Sequence, residues 1–117
     1  MDQKSAVNAL KRVITEIDNL RNSYRLSREH TQWLVNTLYL LEEIFGRNSK
    51  VYRNFSALTW APRGSFVTEG WIGIERKLEK KMQEGYFRDL ETAQGILESG
   101  IQLIKRKGIE NVYEGKD

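Results

Sequence analysis

Trp33-Leu-Val-Asn-Thr-Leu-Tyr-Leu-Leu-Glu-Glu-Ile-Phe-Gly46 is the stretch whose reading decides the fold. Leu34, Leu38, Leu41 and Phe45 form one row at helical spacing, and Trp33, Thr37, Leu40 and Ile44 form the row beside it. So wide an apolar face exceeds what a two-helix seam needs, and it predicts a central helix touched by several partners. Ser27 suits the N-cap, Glu29 lies in the dipole-favoured first turn, and Gly46 stands where a left-handed C-terminal residue is wanted. These signals predict a helix over about 28–45.

Upstream, Ala6, Leu10, Val13, Ile17, Leu20 and Tyr24 step by three and four residues, which predicts a helix over 5–24 with Ser5 as its cap. Downstream, Asn48 or Ser49 can cap a short helix over 49–57 carrying Val51, Tyr52 and Phe55. The single proline, Pro62, and Gly64 break the pattern, so Trp60 to Gly64 reads as a loop with an exposed or half-buried Trp60. The helical period then resumes through Trp71, Ile74, Leu78, Met82, Tyr86, Leu90, Ala93, Leu97, Ile101 and Ile104. Gly85 costs about 1 kcal/mol against alanine inside a helix, so a break there is expected, giving helices over 69–84 and 86–107. Lys105, Arg106 and Lys107 suit the C-terminal end, and 109–117 reads as a frayed polar tail. The expectation is one all-α domain over 1–117, a compact bundle of four to five helices. Its core is drawn from Leu10, Val13, Ile17, Leu20, Leu34, Leu38, Leu41, Phe45, Phe55, Leu90, Leu97 and Ile101.

Composition narrows the function classes. The chain has 117 residues, 39% of them hydrophobic and 30% charged, which suits one globular domain with its own core. It has no cysteine, so disulfides, thiolate metal sites and cysteine nucleophiles are excluded, and a reducing compartment is compatible. The N-terminus shows no signal-peptide pattern, and the longest apolar run, Leu38 to Leu41, is far below the ~20 residues that span a bilayer. A soluble, cytoplasmic protein without membrane contact is expected. A net charge of +3 is milder than a dedicated nucleic-acid module carries.

No constellation argues for a reaction. His30 is the single histidine and lacks a metal-binding or nucleophilic partner in the sequence. Glu75 and Glu79 share a helix face, but Arg76, Lys77, Lys80 and Lys81 among them read more simply as surface ion pairs. No phosphate-cradling glycine loop is present. The chain is therefore expected to be no enzyme, with no catalytic residue, no metal and no cofactor. Apolar surface left over on the broad helix faces would serve a protein partner or self-association as a homodimer. Trp60, Arg63 and Phe66 are the candidate partner-binding residues. The alternative is nucleic-acid or nucleotide binding through Arg63, Arg76, Lys77, Lys80 and Lys81, weakened by the acids Glu69, Glu75, Glu79 and Glu84.

Ser27, Trp33, Thr37, Leu41, Ile44-Phe45-Gly46, Ser49, Phe55, Trp60-Ala-Pro62, Tyr86, Leu90, Ala93, Leu97, Ser99 and Ile101 together carry a resemblance. The pattern resembles a helical module found in bacterial proteins N-terminal to TIR-like, predicted nucleotide-binding effector domains. It covers about Leu10 to Lys107, and its positions are packing and capping positions, with no catalytic signature. The segment 72–83 is longer and richer in lysine than that module's pattern. The resemblance implies an accessory role in a bacterial antiphage-type defence system. The chain would be either a piece of such an effector protein or a free-standing copy acting as partner subunit or decoy.

Overall fold

The chain's apolar rows close into a ring of four helices, seen in a computed structural model that describes the backbone of residues 1–60 and 71–114 and the side chains of 1–60 and 79–114. The helices are α1 (Gln3–Leu20), α2 (Arg28–Phe45), α3 (Lys50–Ser56) and α4 (Trp71–Lys107), followed by a 3-10 turn at Ile109–Asn111. Each packs on the next, α1 on α2, α2 on α3 and α3 on α4, and α4 closes the ring on α1. No strand occurs among the described residues, so the fold is all-α.

Local chemistry explains the boundaries. Ser27 and Ser49 accept the amide protons of His30 and Tyr52, capping α2 and α3 as their sequences suggest. Gly46 ends α2 at φ 83°, a backbone conformation costly for any residue with a Cβ. At α1 the cap is Asp2 rather than Ser5: the Asp2 carboxylate accepts the Ser5 amide at 2.7 Å. That bond holds the carboxyl below its usual range. The helix ends at Leu20, because Asn22 and Ser23 turn the chain. Tyr24 consequently leaves the predicted stripe and stands exposed.

The largest correction concerns α4. The expected break at Gly85 is absent, and 37 residues run as one helix. At about 1.5 Å per residue it is about 55 Å long, the full 56 Å length of the molecule. Tertiary contacts on either side of Gly85 hold the helix against α1. The Gln83 side-chain Nε2 donates to the Ser23 carbonyl at 3.0 Å, and the Tyr86 hydroxyl donates to the Leu20 carbonyl at 2.7 Å. At the far end the Ile109 amide donates to Gln3 Oε1 at 3.3 Å, so α1 lies antiparallel along 86–107.

The core contains ten of the twelve expected residues; Leu34 and Leu38 are only half-buried. The inward row of α2 is instead His30, Trp33, Thr37, Leu41 and Ile44, about one position round the helix from the expected centre. Over 109–114 the expected frayed tail is also corrected, while 115–117 lie outside the described residues. Val112 is buried, the Glu114 amide donates to the Phe45 carbonyl at 2.6 Å, and the Asn48 amide donates to the Glu114 carbonyl at 2.9 Å.

Candidate functional site

Trp60, the leading surface anchor in the sequence, belongs to the core. Its side chain is only 4% exposed and packs among His30, Trp33, Phe55 and Tyr86, with ring centroids 4.6 to 6.4 Å away. The reason is a buried carboxylate that its position in the sequence did not suggest. Asp89 on α4 is itself buried and accepts the Trp60 amide proton at 2.9 Å, fixing the backbone at φ 61°. A left-handed non-glycine residue costs about 1–2 kcal/mol, which the aromatic packing must exceed. Arg63 and Phe66, the other two partner-binding candidates, lie outside the described residues.

His30 forms the polar centre of this aromatic cluster. It is fully buried, and its Nδ1 accepts the amide proton of Leu26, another left-handed residue at φ 58°. That bond places the ring proton of the neutral imidazole on Nε2. Among the described residues Nε2 finds no conventional acceptor; the rings of Trp60 and Tyr86 form T-shaped pairs with the imidazole, their centroids 4.6 and 4.7 Å away. Burial, with the Arg25 charge second, pushes the His30 pKa down to about 4. Burial, with Glu29 second, pushes the Tyr86 phenol up to about 12. Among the described residues this neutral imidazole is closed off from solvent and packs against Trp33, Trp60 and Tyr86. No cluster of three or more potential metal ligands occurs among the described residues.

The surface carries more information than the core. Along one flank of α2 the apolar face continues past its buried edge, from half-buried Leu34 and Leu38 to Val35 and Tyr39, which are 45% and 69% exposed. Nothing among the described residues covers this flank. Of the basic face expected for nucleic acid, Lys80 and Lys81 are exposed on α4 with Glu79 and Glu84 beside them. Arg63 and the side chains of Arg76 and Lys77 lie outside the described residues, as does that of Glu75.

A second cationic region was not anticipated. Lys50 and Arg53 on α3 converge with Arg106 and Lys107 at the end of α4, around two adjoining grooves of about 870 and 500 Å³. The available signal was a basic residue pair on a short helix and a basic run at a helix end. That run is fully accounted for by the helix dipole when read alone. No helix among the described residues is long and apolar enough to cross a membrane.

With this geometry in hand, comparison with known proteins adds nothing: no family model, curated protein or solved structure matches the chain.

Proposed function

We propose that the chain is a non-catalytic interaction module that self-associates through the outer flank of α2. The observation that carries this reading is the apolar strip that runs from half-buried Leu34 and Leu38 to exposed Val35 and Tyr39, on a helix whose Trp33, Leu41, Ile44 and Phe45 are buried. Contiguous exposed apolar surface on a small domain marks an interface, and tyrosine supplies large contact area at low entropic cost. A homodimer joined by this strip would bury it symmetrically. The resemblance to modules N-terminal to TIR-like effector domains supports the wider setting, accessory to a bacterial defence-type effector in the cytoplasm.

Light scattering on the eluting protein tests the reading. The wild type should run as a dimer at both low and high salt, because apolar burial is insensitive to screening. A Val35→Glu/Tyr39→Glu variant should run as a folded monomer. A wild-type monomer at ~100 μM, a concentration well above that required by a micromolar dimer, rejects α2-mediated self-association.

A further inference from the structure

We propose that the groove between α3 and α4 docks an acidic amphipathic helix from a partner protein. Its apolar floor is Val51 from α3 with Ile96 and Leu103 from α4. Ile96 and Leu103 are seven residues apart, two helical turns, so they present a linear hydrophobic seat about 10 Å long. A helix laid along it would meet the floor with apolar residues spaced i, i+3 or i+4, and i+7.

Charge identifies the occupant. Lys50 and Arg106 stand on the rim, and Arg53 and Lys107 line the adjoining groove, which shares Lys50, Val51 and Leu103 with the first. None of these four cations forms an ion pair among the described residues. Among the described residues the carboxylates lining the two grooves are Glu98, which accepts a hydrogen bond from Gln94 at 2.8 Å, and Glu114. A partner with carboxylates flanking its apolar row would complement this rim, whereas a second copy of the chain meeting it through the same groove would bring like charge to it. Among the described residues no aromatic side chain lines either groove, so none of them offers stacked bases a platform there.

The glycines of α4 supply an independent argument. A Cβ at Gly100 would meet Phe45 Cζ at 2.9 Å, so internal packing requires that glycine. A Cβ at Gly95 would meet nothing within 4 Å, although a mid-helix glycine costs about 1 kcal/mol against alanine. Packing among the described residues therefore gives no reason for Gly95. It lines the α3–α4 groove, where a missing side chain lets an external helix backbone approach closely.

The experiment selects peptides of about 16 residues, four helical turns, from a random displayed library on the full chain. Selected sequences should be rich in Asp and Glu with the apolar spacing given above. Their affinity should fall at least about tenfold in Gly95→Leu, which fills the groove, and in Lys50→Glu/Arg106→Glu. Thermal melts check folding, and Gly95→Leu should melt no lower than wild type, since leucine is the better helix former. Failure to enrich any sequence, enrichment of neutral or basic peptides, or binding indifferent to the groove variants overturns the proposal. So does tight binding of a single-stranded oligonucleotide that the Lys50→Glu/Arg106→Glu variant abolishes while no acidic peptide binds. The α2 flank is untouched by these variants, so dimerisation and peptide docking can fail separately.

Discussion

His30 links burial to pH. Its folded-state pKa of about 4 lies below the ordinary histidine value of 6.5 because a charged imidazolium would be desolvated among aromatic rings and repelled by Arg25. Between these two values the unfolded chain binds a proton that the folded chain does not. Stability from this group is therefore complete above about pH 6.5 and is lost as pH falls toward 4, by on the order of 3 kcal/mol across the window. Urea denaturation at intervals from pH 7.5 to 4 should show that decline. His30→Asn keeps a side-chain acceptor for the Leu26 amide but removes the titration, so the decline should be smaller by about that amount. Equal pH dependence in the two proteins would show that His30 is accessible to protons in the folded state.

At the scale of the element, α4 depends on what its glycines face. Gly100→Ala would push a methyl group into the Phe45 ring, and overpacking of this kind typically costs about 1–3 kcal/mol despite alanine's better helix propensity. Chemical denaturation should show that loss with far-ultraviolet helicity unchanged; a stabilised variant would mean that Phe45 yields freely. The caps at Ser27 and Ser49 and the stop at Gly46 were legible because each involves residues within one turn of the other. The continuity of α4 through Gly85 was not. It depends on Leu20 and Ser23, more than sixty residues away, accepting bonds on either side. The burial of Trp60 was hidden for the same reason, since Asp89 lies 29 residues further on. Periodicity assigned α2 its apolar rows but not its orientation, so the half-burial of Leu34 and Leu38, and with it the exposed flank, appeared only once α1 and α3 were in place. The α3–α4 groove has no local sequence signature, because its two walls come from separate helices.

In the whole molecule, the segment after α4 ties the end of α2 to the approach to α3. α2 ends at Phe45, whose carbonyl cannot be satisfied within its own helix. The Glu114 amide reaches it, and the Glu114 carbonyl in turn takes the Asn48 amide, so one residue bridges the end of α2 and the approach to α3. Val112 holds this bridge in place by burying its side chain in the core, only 3% exposed. A carboxylate at that position would be buried without a partner or would force the segment outward, stripping the two backbone bonds from α2 and α3 together. Val112→Asp should therefore cost about 2–4 kcal/mol, more than the removal of one small apolar side chain. Hydrogen exchange should show where the loss falls. The amides of Asn48 and Glu114 should lose protection in the variant, while those of Leu90 to Leu97, packed in α4 against α1, should weaken only with global stability. If Asn48 and Glu114 exchange as rapidly in the wild type as in an unfolded peptide, the bridge is not formed in solution, and the α2–α3 corner must be held by Ser49 and Gly46 alone.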